Sequence, residues 1–431
     1  MSTDWQALRI EGIYRQPHEG FAMQRIKLPA GVLSAEQARG IAAIAVEFAR
    51  GALHLTTRGS IELHWVREEN LMAVKGRLSA LGLTSRGACG GAVRGITCAS
   101  QGSAGFPQVE SLARRLQRHF TDNPRFERLP KKFKIGIAAD DRSRGHLIQD
   151  VGLVLRGEAE RKTLCDVWIA GGLGREPQAG FLLEEKVADG RIVPLIEAVL
   201  QVYIAHAPPG KRLKHVAREL GQERLRALIA EQPSSIEEAT PPAGLPDHFV
   251  PAADISTRLE APVFAGELPA DDLARLAGFA EAWAGGWLIV TADQDIAFHI
   301  IDKADAARQE LARLGFGGET REKRASFKVC PGSHECRMGL APTRDVARQV
   351  IAALGSVAGA ARWAISGCHN SCAQPQLADF GIVVSGLVKG NDGSRSPRCD
   401  LYSHSGRLEL GSPVAQNLSL AELLDMVKSL G

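Results

Sequence analysis

KVCPGSHEC at residues 328–336 and SGCHNSC at residues 366–372 hold four cysteines in two close pairs, and the rest of the chain is read outward from them. Five residues separate Cys330 from Cys336, three separate Cys368 from Cys372, and thirty-one lie between the pairs. A cubane 4Fe–4S cluster takes four thiolates, one for each iron. Pro331 and Gly332 bar regular structure after the first cysteine, and Gly367 and Asn370 loosen the second pair, so both pairs are expected on loops. Structural zinc sites usually pair cysteines two to four residues apart; the shorter gap fits that habit and the longer one does not. A disulfide framework fits less well, with eight Cys in 431 residues, no secretory leader in MSTDWQALRIEG, and a length that needs no staples. Spacing alone ranks a cluster above zinc, and buried free thiols third.

Before the cysteines, the chain repeats itself. FAMQRIKL reads as a strand, and SAEQARGIAAIAVEFA as a helix with Ser34 as N-cap and Gln37 completing a capping box. ALHLTTRGSIELHWV follows as two strands about a turn at Gly59 and Ser60, and ENLMAVKGRLSALG as a closing helix. The order returns at 262–316 with PVFAGEL, PADDLARLAGFAEAWA, GWLIVTADQDIAFHII and KADAARQELARLGF. LHLTTRGSIELHW aligns with LIVTADQDIAFHI, matching Ile61 to Ile296 and His64 to His299, and placing Asp293 opposite Arg58. A weaker echo joins LIQDVGLVLRG at 147–157 to QLADFGIVVSG at 376–386. The chain is a tandem of two similar halves, with Pro233–Ser256 as the linker.

The first half carries the cations that need a reason. Arg58 lies at a hairpin tip, Arg94 in CGGAVRGITCAS, and Lys132 and Lys134 in LPKKFKIGI, where alternation puts both on one strand face. Each alone reads as a solvated charge, but together their small-residue and apolar settings ask for an anion. Arg25 and Lys27 share a face of the first strand, and KRLKHVARELG at 211–221 is either an exposed basic helix face or part of a site. The glycine-rich IAGGLGREPQ at 169–178 has the look of a simple loop. Cys89, Cys98, Cys165 and Cys399 lack paired spacing and are expected to pack, as are His64 and His299 as core histidines. With 52 Lys+Arg against 49 Asp+Glu, charge argues against a nucleic-acid or membrane partner, and no apolar run approaches a span. A cytoplasmic protein is expected.

C-x5-C followed by G-C-x-N-S-C resembles the sirohaem and 4Fe–4S region of the sulfite and nitrite reductases, with His369 where the family usually has proline. The resemblance runs from about Gly12 to Leu424. It implies an α+β fold, a tandem pseudo-two-fold repeat of ferredoxin-like units and mixed α/β lobes around a central sirohaem/4Fe–4S site. The boundaries expected are 1–84 and 261–320 for the units, 85–232 and 321–431 for the lobes, and 233–260 for the linker. It further implies that Cys330, Cys336, Cys368 and Cys372 ligate the cluster, and that Cys372 is also the axial thiolate of the sirohaem iron. By position in motifs similar to T-T-R, V-R-N and L-P-R-K-F-K, Arg58, Arg94, Lys132 and Lys134 become the substrate pocket, with Gly95 and Gly59–Ser60 as departures from the usual residues. Gly171, Gly172, Arg175 and Asn370 are expected beside the sirohaem, and Arg25 and Lys27 either within reach of its propionates or on a surface strand.

Lysine at position 134 resembles the sulfite reductases, where nitrite reductases tend to have asparagine. The leading expectation is six-electron reduction of sulfite to sulfide. Nitrite reduction to ammonia, a precorrin-3B synthase-like monooxygenase and a non-catalytic sirohaem or electron-transfer subunit are the alternatives. The remaining length fits no flavin or NADPH module, so electrons are expected from a separate ferredoxin or flavoprotein.

Overall fold

The computed structural model describes residues 4–99, 102, 104–159, 162–233, 248–252, 254–317, 325–355, 361–390, 393–404, 406 and 408–429. Most of the expected linker, 234–247, lies outside them.

The first repeat unit runs through strand Phe21–Ile26, a 3-10 turn Pro29–Gly31, strand Val32–Ser34, helix Ala35–Phe48, strands Ala52–Leu55 and Ile61–Arg67, and helix Leu71–Ala80. The capping box forms as read: the Gln37 amide N–H donates to Ser34 Oγ at 3.1 Å and Gln37 Oε1 accepts from the Ser34 N–H at 3.0 Å. The second unit repeats every element: Thr257–Ala261, turn Phe264–Gly266, Glu267–Pro269, helix Ala270–Trp283, strands Trp287–Val290 and Ile296–Ile300, and helix Ala304–Arg313. Its opening strand begins at Thr257, inside the stretch expected as linker. PVFAGEL, read as that strand, forms the turn and the short strand after it, because Ala265 takes φ 56° and breaks the extension as Ala30 does in the first unit. The hairpin tips superpose in kind. Thr56 N–H donates to Ser60 O and Thr291 N–H to Asp295 O, both at 2.9 Å, with Gly59 and Gln294 at φ 62° and 68°.

The units are not independent domains. Val32–Ser34 pairs with Trp287–Val290 of the second unit, and Glu267–Pro269 pairs with Ala52–Leu55 of the first. Each sheet is completed by a strand from the other unit. The two long helices pack together over a single apolar core that draws on both units, Ile41, Ile44 and Leu55 with Leu273, Leu276 and Phe298. The crossing strands approach so closely that Gly31, at φ 78°, leaves no room for a Cβ: one would lie 2.2 Å from Val290 O. Gly31→Ala is therefore expected to cost more than the ~1–3 kcal/mol of the strained dihedral alone, read as a lower denaturant midpoint. Gly51→Ala, at φ 71° with open space around it, should lose only the dihedral cost.

Each unit leads into a five-stranded lobe whose strands stand in chain order. The first has Thr97–Ala99, Ile135–Ala138, Val151–Ala159, Lys162–Ile169 and Phe181–Ala188, with helices Phe106–Phe120 and Asp189–His206. The second has Ser326–Val329, Arg362–Ser366, Phe380–Lys389, Arg395–Ser403 and Ser412–Ser419, with helices Thr343–Leu354 and Leu420–Ser429. In both, the first three strands run parallel and the last two antiparallel. The echoing stretches 147–157 and 376–386 enter the third strand of each lobe. Among the described residues no helix is long and apolar enough to cross a membrane.

Candidate functional site

Cys330 follows strand Ser326–Val329 and Cys368 follows strand Arg362–Ser366. These strands are parallel neighbours, so their C-terminal ends lie side by side and the loops beyond them meet. Parallel pairing thus brings together cysteine pairs that are far apart in the chain. Backbone N–H groups are aimed at the sulfurs. Gly367 N–H donates to Cys330 Sγ at 3.1 Å, with a second bond from Gly332; Met338 N–H donates to Cys336, and both the N–H and the side-chain amide of Asn370 to Cys368.

Burial pushes the Cys330, Cys336 and Cys368 thiols up, Cys336 to about 11, and neighbouring thiols push the same way while the N–H donors oppose them. The four sulfurs therefore sense one another. Yet among the described residues no three His, Cys, Asp or Glu side chains converge closely enough to hold a single metal ion. His369, in the place where proline was expected, holds the second loop through Nε2, 3.0 Å from Ser385 O.

The hairpin tip of the first unit docks on this loop. Thr57 Oγ1 donates to Cys372 O at 2.7 Å and Gln374 Nε2 donates to Thr57 O at 3.2 Å. Arg58, next in the tip, reaches back into the first lobe, donating to Gln149 Oε1 at 3.1 Å and Gly95 O at 2.7 Å. Lys132 and Lys134 lie in the extended stretch just before strand Ile135–Ala138, with Phe133 buried between them and facing the other way, so the alternation holds.

Burial lowers the Lys132 ammonium to about 8, against the pull of Cys372, which faces both lysines. Burial lowers Lys134 further, helped by Arg58, Lys132 and Arg212. Among the described residues neither ammonium has a hydrogen-bond or ion-pair partner. Arg94 is placed differently. It is buried, but its guanidinium donates to Ala88 O and, at 2.8 Å, to Gly90 O, so its outer nitrogens are occupied by its own loop.

Gly171 and Gly172 form a turn closed by Gly172 and Gln178, which exchange N–H···O bonds of 2.8 and 2.9 Å. KRLKHVARELG folds onto that turn and is not an exposed basic face. Arg212 and Lys214 are 5% and 3% exposed; Lys214 Nζ donates to Leu173 O at 3.2 Å, and a Cβ on Gly172 would lie 2.6 Å from Arg212. Arg212 also donates to Asp150 Oδ2 at 2.7 Å, and the other lone pairs of that oxygen take the Lys134 N–H at 2.8 Å. Asp150 thus sets the backbone that carries Lys134, a role with no signal in the sequence beyond the repeat echo. Arg175 is exposed and partnerless among the described residues, and Asn370 is exposed beside the sulfurs. Arg25 is tied to Glu62 at 2.9 Å and Lys27 to Thr121 Oγ1 at 2.8 Å, so the first strand is no surface strand.

Arg212→Ala would leave the Asp150 carboxylate buried and unpaired, which typically costs about 3–5 kcal/mol. The expected fall in denaturant midpoint should be largely restored in an Arg212→Met/Asp150→Leu double variant.

A family model described as the nitrite/sulfite reductase ferredoxin-like half domain matches residues 14–81, and one described as the nitrite and sulphite reductase 4Fe-4S domain matches residues 93–237. The chain belongs to the nitrite and sulfite reductase family. Family members carry sirohaem and a 4Fe–4S cluster. The second match covers the first lobe; the four cysteines lie in its structural counterpart, the second lobe.

Among relatives, a sulfite reductase [ferredoxin] of Mycolicibacterium paratuberculosis is 27% identical over 405 residues, covering 87% of this chain and 72% of its own. A ferredoxin–nitrite reductase of Leptolyngbya laminosa is 27% identical over 461 residues, 98% of this chain and 88% of its own. The fold matches that of the Mycobacterium tuberculosis NirA protein with a TM-score of 0.83 at 23% identity, over 99% of this chain and 86% of that one.

Proposed function

We propose that this reductase converts sulfite to sulfide by six electrons in the cytoplasm, drawing them from a ferredoxin, with Cys330, Cys336, Cys368 and Cys372 holding the 4Fe–4S cluster. The observation that carries the reading is the pair of half-buried ammonium groups, Lys132 and Lys134, which sense the charge of Cys372 and have no hydrogen-bond or ion-pair partner among the described residues. A buried cation without a counter-ion is costly unless an anion completes the site. Burial holds these sulfurs toward the thiol form, and the N–H donors aimed at them oppose it and would favour the thiolates that a cluster takes. Cys372 would be shared with the sirohaem iron, and Gly171, Gly172 and Asn370 would line the sirohaem, with Arg175 at its edge. The sirohaem–cluster pair, when bound, supplies the electrons one at a time and the iron at which the anion is reduced.

The protein's own residues do the rest. Lys132, Lys134 and Arg58 hold the oxyanion by charge in a setting where burial strengthens every such contact. A lysine lowered to about 8 gives up a proton far more readily than an ordinary one, so Lys132 suits proton delivery to departing oxygen. Arg94 keeps the 88–90 loop in place and adds field. None of the eight cysteines is in a disulfide, in keeping with a reducing compartment. The relatives' names favour ferredoxin as donor.

A second reading, nitrite reduction to ammonia, is supported by the equally similar relative named ferredoxin–nitrite reductase. Anaerobically purified protein assayed with reduced methyl viologen decides between them. A kcat/KM for sulfite above that for nitrite is expected, and sulfide should appear with one third as many moles as two-electron equivalents consumed.

A further inference from the structure

Tyr203 lies in the last turn of helix Asp189–His206 and is fully buried in the apolar core of the first lobe. A phenylalanine would fill that space as well, so the hydroxyl needs a reason. A buried Tyr O–H is costly unless it finds hydrogen-bond partners. Here it has two, and neither belongs to the helix. Tyr203 Oη accepts the Lys131 N–H at 3.0 Å and donates to Lys211 O at 2.8 Å. Burial pushes its pKa up, so it stays a neutral hydroxyl that can do both. A third bond runs from the Gly210 N–H to Pro130 O at 2.9 Å. One hydroxyl thus joins the segment that carries Lys132 and Lys134 to the segment that carries Arg212 and Lys214.

The joint matters because the Lys132 and Lys134 ammonium groups have no partners of their own among the described residues. A lysine unbonded at its tip is placed by its backbone and its flexible stem alone. The Leu129 N–H donates to Gly91 O at 2.9 Å and the Phe133 N–H to Ala92 O at 3.0 Å, while Phe133 O accepts the Arg94 N–H at 2.9 Å. Asp150 holds Lys134 twice: its carboxylate takes the Lys134 N–H at 2.8 Å, and its N–H donates to Lys134 O at 3.0 Å. At Lys131, next to Lys132, the N–H goes to Tyr203. The rings of Phe133 and Tyr203 are 5.7 Å apart and both residues are fully buried. The same side chain therefore also seats the residue whose inward turn sends both lysines to the other face.

We propose that Tyr203 is a positioning residue of the oxyanion pocket, its hydroxyl fixing the backbone at Lys131 and, through it, the place from which Lys132 delivers protons. The proposal deepens the reductase reading and rests on it for the role of Lys132. Lys134 keeps its own tie to Asp150, so loss of the hydroxyl reaches Lys132 first. Turnover, which needs a proton at the departing oxygen, then suffers more than KM, which follows the charge that holds the anion.

The test is Tyr203→Phe, which keeps the ring and removes only the two bonds, in the cofactor-loaded enzyme with reduced methyl viologen as donor. Sulfite kcat is expected to fall about tenfold or more, the scale on which small misplacements of a reacting group act, with KM changed by a smaller factor. Amide exchange read by mass spectrometry should speed up in the peptides spanning 129–134 and 208–214 and stay as in the wild type over the second lobe. In a Lys132→Met background Tyr203→Phe should cost no further activity, because nothing is left to position. Wild-type kcat in the single variant, unchanged exchange at 129–134, faster exchange in both lobes alike, or a full further loss in the Lys132→Met background would each overturn the proposal. Should the wild type reduce neither anion with viologen, the reductase reading fails, while the exchange pattern still decides whether Tyr203 fixes the lysine segment.

Discussion

Cys368→Ser is expected to abolish cluster and sirohaem together, with iron and acid-labile sulfide falling to background and turnover of both sulfite and nitrite lost. Cys368 is the sulfur to which Asn370 gives two hydrogen bonds; an alkoxide-poor hydroxyl in its place cannot complete a thiolate set. Metal-site binding is coupled to the fold of the loops that supply the ligands. Here those loops also carry the inter-half contacts, since Cys372 O accepts from Thr57 and Gln374 donates back to it. Loss of one ligand should therefore loosen the seat of both cofactors and the first-unit hairpin tip. The measurements are iron and labile-sulfide analysis, the absorption spectrum and a proteolysis time course. A wild type that holds zinc and no labile sulfide, or a variant that keeps full sirohaem, contradicts this reading.

Lys134→Asn should lower sulfite turnover by at least about tenfold, roughly 1.4 kcal/mol of transition-state stabilisation, while nitrite turnover falls less or rises. Sulfite carries more charge than nitrite near neutral pH and has more oxygen to remove, so it gains more from an added half-buried cation and a nearby proton donor. The structure sharpens the argument. Burial, Arg58, Lys132 and Arg212 all weigh against the Lys134 charge and Cys372 opposes them, so a bound anion would stabilise that charge. Removing it should make the cofactor-free protein more resistant to denaturant even as sulfite reduction is lost, the trade expected of a residue kept for function. The readouts are kcat/KM for both anions with one artificial donor at equal sirohaem occupancy, and the denaturant midpoint of the apo-protein. Equal losses for both anions would make Lys134 a general anion holder; no loss would place it outside the pocket.

The two cysteine pairs, the duplicated α+β unit and the linked lobes are legible in the sequence because each is local. A capping box, a hairpin turn and a glycine-flanked cysteine pair are decided within a few residues, and duplication repeats them at a fixed offset. Alternation likewise places Lys132 and Lys134 on one face, since Phe133 between them is driven inward. What lies beyond that reach was decided by tertiary contacts. The exchange of Val32–Ser34 and Glu267–Pro269 between units rests on backbone hydrogen bonds in three-residue strands, too short for a side-chain period to declare. Arg94 spends its donors on the 88–90 carbonyls, and Arg212 and Lys214 close over the glycine turn. A guanidinium's partner depends on which carbonyl or carboxylate the fold carries within 3 Å, and for Arg212 that is Asp150, 62 residues away in the chain. Sequence thus determined which residue types converge, through spacing and repetition. Only the packed structure decided which cations stay without a partner, because a buried charge is assigned by everything that surrounds it in space.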